Sequence, residues 1–386
     1  MTEPAQRETN SSRDERLDLM RGVAMLFVVI NHVQQPSWWS VLTVERLGLV
    51  TGAEVFVLVS GIVLGRVHAR RVIQYGWAAS ARGLLRRAGV LYLTSLVIVL
   101  LVLMLRYVPG LEDRSLATYT ADDGQAFDLY PRADEPWQVF RGVVLLVYGP
   151  GEFNIMGLYV VLLAAAPLGL WLLVRGQWAL LVGLAVLGWG AAQAGPLRLL
   201  PSQFENAFTL LAWQLLFLLG LVVGYHWKQL AAVLTPRRSR ALVLVASAVT
   251  LGGFLLAWTS PWGLSPGPRL PLLSPSSYGQ IYSAAFDRRT LGIGRLVNVV
   301  GMTIAAYAAL TLFPRLLTGP IAQALLSLGQ ATLYVFVVHL AFVLAVDNIT
   351  GGPVGSRLLG AALHTVVLVS LVVMVRRRVL FGLIPR

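Results

Sequence analysis

The chain of 386 residues contains no cysteine. That excludes a disulfide framework, a thiolate metal site and a cysteine acyl-enzyme. Charge is also scarce. Asp, Glu, Lys and Arg make up 13% of the chain, against about 25% in soluble domains. Hydrophobic residues reach 56% and the mean hydropathy is +0.70. A core with so little polar cover does not exist in water at this size, so a soluble globular enzyme is excluded. The same numbers exclude disordered, collagen-like and coiled-coil chains. No internal repeat, inverted repeat or low-complexity tract is visible. No cleavable signal peptide is expected: the first apolar run starts near Leu17 and ends in polar Asn31-His32, not in a small-residue cleavage site. No metal is expected, because no ligand cluster appears.

What remains is apolar runs near the length of a bilayer span, about 20 residues each. Ten are present, at 17–36, 50–68, 84–106, 154–174, 177–194, 206–227, 241–259, 291–313, 329–347 and 357–375. They predict an all-α polytopic membrane protein, a bundle of about ten transmembrane helices. One membrane domain covers 1–386, with a polar tail over 1–16 and two long loops, 107–153 and 260–290. The first loop carries an interfacial helix, Trp137 to Val147.

Acidic residues number 18 and basic residues 31, for a net charge of +13. A nucleic-acid partner does not follow. The basic residues lie in short inter-span clusters such as Arg70-Arg71, Arg86-Arg87, Arg237-Arg238 and Arg376-Arg377-Arg378. The positive-inside rule produces that distribution. The opposite side holds Glu112, Asp113, Asp122, Asp123, Asp128, Asp134 and Glu135. Both chain ends are therefore expected in the cytosol, with 69–83 as an inner segment between spans.

An ionisable residue inside a span is expensive and marks a functional candidate. Arg21 and His32 lie eleven residues apart in the first span. On an α-helix that is about 16 Å of rise and about 20° of rotation. One helix face thus carries a cation near one surface and an imidazole well inside, a spacing comparable to an extended phosphopantetheine arm. Glu54, in the second span, is expected at the depth of His32. A carboxylate there stabilises an imidazolium and orients the ring. Plainer readings are open as well: Arg21 as an anchor, His32 as a helix cap, Glu54 at the water interface. Gly61-x-x-x-Gly65 is expected to serve helix packing. His68 and His226 are expected to be solvated, and His339 and His364 to fall mid-span.

The arrangement of Arg21, ten residues and His32 resembles the first-helix signature of the membrane acyltransferase type three superfamily. The finer resemblance is to the OpgC family, which succinylates osmoregulated periplasmic glucans. Arg16-Leu17-Asp18-Leu19-Met20-Arg21-Gly22 with Asn31-His32 resembles the family's opening. Glu54-Val55-Phe56-Val57-Leu58-Val59-Ser60-Gly61 resembles its second helix. Further blocks follow in family order: Arg86-Arg87 with Leu91-Tyr92, Asn154 to Leu162, Asn206 to Phe217, Asp287 to Leu291 with Arg295-Leu296, and Gly329 to Phe336. Asn31 and Asn154 stand where the family pattern has aspartate. Asn298 and Ala331 stand where it has histidine.

The resemblance implies an acyl-CoA-dependent O-acyltransferase in the plasma membrane of a bacterium. It would move an acyl group, succinyl by the resemblance, from cytosolic acyl-CoA to a sugar hydroxyl of an envelope or periplasmic glycan. His32 is then the base and Glu54 its partner, with Asp18, Asn31 and His339 in support. Arg21, Arg82, Arg86 and Arg87 would hold the acyl-CoA phosphates. Asp287, Arg295, Trp213 and Gln214 would hold the acceptor or the acyl group, with Arg295 paired to Asp287 as the structural alternative. The partners implied are acyl-CoA, a glycan acceptor and the lipid bilayer. A proton-coupled transporter or flippase for a glycan or lipid-linked substrate is the alternative reading of the same buried residues.

Overall fold

The structure is a computed structural model, and it describes residues 14–43, 48–120, 126–131, 135–195, 197–261 and 270–384. Most of the polar tail (1–13), loop residues Asp122, Asp123 and Asp134, and the centre of the second long loop (262–269) lie outside the described residues.

Among the described residues the regular structure is helical apart from one two-stranded antiparallel ribbon, β1 (Thr118–Thr120) with β2 (Ala126–Asp128). Helix α1 (Glu15–Val33) starts on Asp14, whose side chain caps the Arg16 amide, and stops at Gln34 in the left-handed conformation. Asp14 also pairs with the guanidinium groups of Arg16 and Arg66 and accepts from the Tyr307 hydroxyl. Burial pushes its carboxyl up, but the two arginines dominate and hold its pKa at about 2.

Helix α2 (Gly52–Leu105) opens on a capping box, Thr51 with Glu54. Its 54 residues would reach about 80 Å if straight, far beyond a bilayer. They do not, because Gly76 sits at φ 78, ψ 167 and breaks the helix into two arms. Residues of both arms, 56–71 and 83–91, line one cavity, so the arms lie side by side. The runs 50–68 and 84–106 are these two arms. Segment 69–83, expected as an inner connection, is instead helix on either side of Gly76. Its basic and small residues suit a helix, and one glycine suffices for the turn.

A short helix α3 (Arg114–Ala117) precedes the ribbon, and the helix expected at 137–147 follows it as α4 (Pro136–Val144). Then come α5 (Ile155–Val174), α6 (Trp178–Gln193), α7 (Leu210–Tyr225), α8 (Trp227–Val233) and α9 (Pro236–Trp258). The chain ends with α10 (Pro275–Ala285), α11 (Ile293–Leu312), α12 (Pro320–Gln330), α13 (Thr332–Thr350) and α14 (Arg357–Arg376).

Among the described residues, six helices can cross a membrane by length and composition, or seven when α7 and α8, bent by 71°, count as one. The protein is therefore a multi-pass membrane protein. The difference from ten has three causes. Two runs share α2. Helix α1 carries Glu15, Arg16, Asp18 and Arg21. Helix α6 has only 16 residues.

The most extensive helix packing joins α2 to α7 through facing small-residue pairs. A Cβ on Gly61 or Gly65 would strike the backbone of α7 at Phe217 and Leu221. A Cβ on Gly220 or Gly224 would strike α2 at Leu58 and Ile62. The Gly61-x-x-x-Gly65 motif thus meets Gly220-x-x-x-Gly224, and neither backbone can withdraw without losing the contact. Gly61→Leu and Gly220→Leu should each lower the thermal unfolding midpoint of the solubilised protein. The expected cost is at least about 1–3 kcal/mol, the usual penalty for overpacking. Gly89→Leu, at a position open to space, should leave the midpoint in place.

Candidate active site

His32 lies in the last turn of α1, where Gln34 ends the helix. His339 lies on α13 and is fully buried. His32 Nδ1 and His339 Nε2 are 2.8 Å apart. His339 Nδ1 is 2.8 Å from the Phe336 carbonyl oxygen, one turn back on the same helix. A carbonyl only accepts, so His339 Nδ1 carries a proton. With both rings neutral, His339 Nε2 then has a lone pair and accepts from His32 Nδ1–H. The remaining His32 nitrogen, Nε2, keeps its lone pair. Phe336 packs edge-on against both rings, with centroids 6.3 Å from His32 and 5.2 Å from His339.

His32 lines a cavity of about 710 Å³. Its wall is polar and carries charges of both signs, among them Glu112, Arg114, Glu152, Arg288 and Asp347, with Asn31 beside His32. Glu152 is buried and tied to α1 through Gln34, whose Nε2 donates over 3.4 Å.

A second cavity of about 160 Å³ lies between the two arms of α2, α5 and the start of α13. Its polar lining is basic: Arg21, Arg71 and Arg87, with His68, Ser60 and Tyr159. Arg21 is placed by the Thr332 hydroxyl at 2.7 Å and by Asp18 at 3.9 Å. Asp18 is buried beside it and does not reach either cavity wall.

The expected partner of His32 is elsewhere. Glu54 is fully buried and pairs with Arg295, and it also accepts from the Thr51 amide at 2.7 Å and from the Thr51 hydroxyl. It closes the cap of α2 and ties α2 to α11. The carboxylate is at the right end of the helix, but it is held by Thr51 and Arg295 and does not line the His32 cavity. Arg295 also donates to the Phe286 carbonyl over 3.1 Å. Asp287 does not pair with Arg295. It accepts from the amide and hydroxyl of its own turn residue Thr290, at 2.8 and 2.7 Å.

Two other expected binding residues lie away from both cavities. Trp213 is fully buried against Phe208, centroid to centroid 4.7 Å. Gln214 donates to the Ala185 carbonyl over 2.7 Å and joins α7 to α6. Neither lines a cavity described above. The four expected acyl-CoA arginines divide. Arg21 and Arg87 line the basic cavity, whereas Arg82 and Arg86 are exposed outside it. Neighbouring helix residues point about 100° apart, and of this pair Arg87 lines the cavity and Arg86 does not.

Three contributors were missed or misjudged. Arg71 reads as an ordinary inside-rule cation, yet it completes the basic cavity. His68 was expected in solvent and is buried there. Glu152 has no sequence signal beyond its place before an apolar run. Of the remaining histidines, His364 is buried and clips α14 to α1, with Nε2 3.0 Å from the Ile30 carbonyl.

A family model described as OpgC protein matches residues 13–380. The chain belongs to the OpgC family. No curated protein matches the chain, and no solved structure does. OpgC membership suggests an acyltransferase of the glucan-succinylating type. In this OpgC-family chain, the resembling blocks fall on the elements that build the two cavities: α1, α2, α5 and the α12–α13 junction.

Proposed function

We propose that the protein transfers a succinyl group from cytosolic succinyl-CoA to a hydroxyl of a periplasmic glucan. The observation that carries this reading is His32 Nε2, unengaged in the wall of a polar cavity and fixed by the bond from Nδ1 to His339. Family membership supplies the reaction class. In this reading the basic cavity faces the cytosol and the His32 cavity faces the periplasm, with both chain ends inside.

The CoA phosphates engage Arg71 and Arg87 at the basic mouth, and the pantetheine arm runs past Arg21 toward His32. A hydroxyl is a weak nucleophile at neutral pH. As its oxygen attacks the thioester carbonyl carbon, His32 Nε2 takes its proton. The C–S bond then breaks, and the departing CoA sulfur receives that proton from His32. The ester is formed and His32 returns neutral. His339 holds the ring in the tautomer that the step requires. Glu54 and Arg295 support α2 rather than the reaction.

Mass spectrometry of envelope glucans from cells with and without the protein tests the reading. A mass difference of one succinyl group per modified site is expected, and identical glucans would overturn it. The donor side has its own test. Arg71→Ala with Arg87→Ala should weaken succinyl-CoA binding by a few kcal/mol, at roughly 1.5–3 per lost charge-assisted hydrogen bond. Arg82→Ala with Arg86→Ala should leave binding unchanged. Unchanged binding in the Arg71/Arg87 double variant would return both arginines to membrane anchoring.

A further inference from the structure

Two cavities approach each other within the bundle, and among the described residues one side chain lines both. Phe56 stands in the wall of the basic cavity and in the wall of the His32 cavity. It is 6% exposed. Its ring is held on two sides, by the Tyr159 ring at 5.3 Å and 62° and by the Arg21 guanidinium at 5.7 Å. Its backbone sits in the first turns of α2, pinned by the Thr51–Glu54 cap and the Glu54–Arg295 pair.

We infer that Phe56 is the partition between donor and acceptor cavities and that its ring sets the length of acyl chain admitted to His32. The inference rests on the acyl-transfer reading. A thioester anchored at Arg71 and Arg87 brings its acyl group to the Arg21 side of the ring. His32 lies on the other side. The hydroxyl oxygen must come within about 3–3.5 Å of the carbonyl carbon, so the acyl group must pass the ring. A short acyl group slips by with a small ring rotation. Each added methylene demands a larger displacement against Tyr159 and Arg21. The ring at rest also keeps water of the larger cavity away from the thioester.

The absence of cysteine makes the partition directly measurable. Ser60 lines only the basic cavity, so Ser60→Cys places a single thiol behind the ring. A membrane-impermeant maleimide is applied to sealed vesicles from the side on which the His32 cavity opens. With Phe56 in place, labelling is expected to be negligible. In Phe56→Ala/Ser60→Cys it should become rapid, and Phe56→Leu/Ser60→Cys, the milder change, guards against misfolding.

The second arm compares acetyl-, succinyl- and glutaryl-CoA as donors. One methylene in an apolar pocket is discriminated by roughly 10–200-fold. Phe56→Ala should raise the glutaryl-to-succinyl ratio of kcat/KM by about tenfold or more on that scale, and Phe56→Trp should lower it. Unchanged labelling in Phe56→Ala would overturn the partition. New labelling with an unchanged donor ratio would overturn the selectivity. If the unsubstituted protein transfers from no acyl-CoA, the acyl-transfer reading fails, while labelling still decides whether Phe56 divides the cavities.

Discussion

His32→Ala is expected to reduce acyl transfer by about 10²–10⁴, the usual cost of losing a general base, with succinyl-CoA binding intact. The separation follows from geometry. His32 lines the polar cavity and no part of the basic one, so its removal touches the proton step and not the phosphate contacts. In the proposed mechanism His339 acts through His32, as a positioning residue. His339→Phe keeps the ring volume but removes the acceptor for His32 Nδ1–H. It should lower kcat at an unchanged KM for the donor. His339→Gln offers a carbonyl oxygen in that role and should restore part of the rate. Equal rates in His339→Phe and His339→Gln would assign the residue to packing alone. Near-normal transfer by purified His32→Ala would overturn the mechanism.

Breaking the Glu54–Arg295 pair is expected to cost about 3–5 kcal/mol in stability, because the partner left behind is an uncompensated buried charge. The two side chains are 0% and 4% exposed. Arg295→Met should therefore give a protein with a sharply lowered unfolding midpoint. Glu54→Gln should do the same and also weaken the cap on Thr51. The double variant Glu54→Gln/Arg295→Met removes both charges and should recover much of the loss. Thermal unfolding of the solubilised protein checks all three. Where Glu54→Gln retains activity, the acidic limb of its pH–rate profile should stay in place. A moved limb with an unchanged midpoint would restore Glu54 to the side of His32.

The membrane character and the candidacy of His32 were legible in the sequence for related reasons. Apolar runs state their own length, and a residue such as His32 within a run stands out by its cost. The spacing from Arg21 to His32 is a property of one helix, and the structure keeps it: Arg21 faces the basic cavity and His32 the polar one. The small-residue motif at Gly61 and Gly65 announced a close crossing but not its partner. The count of spans was less legible. The runs 50–68 and 84–106 are side-by-side arms of one helix broken at Gly76, and hydropathy does not show that helix rather than loop connects them.

By itself, then, the sequence determined the membrane bundle, the family resemblance, and an imidazole and a cation on α1, because each depends on composition or on one helical repeat. Only the tertiary structure decided which groups meet across helices. His32 meets His339 from α13, and Glu54 meets Arg295 from α11. Arg71 joins Arg87 across the turn at Gly76 while Arg86 points away. These choices depend on rotation of one helix against another. Depth in the membrane is encoded along the chain, residue by residue, but relative rotation is fixed by packing contacts between segments up to hundreds of residues apart.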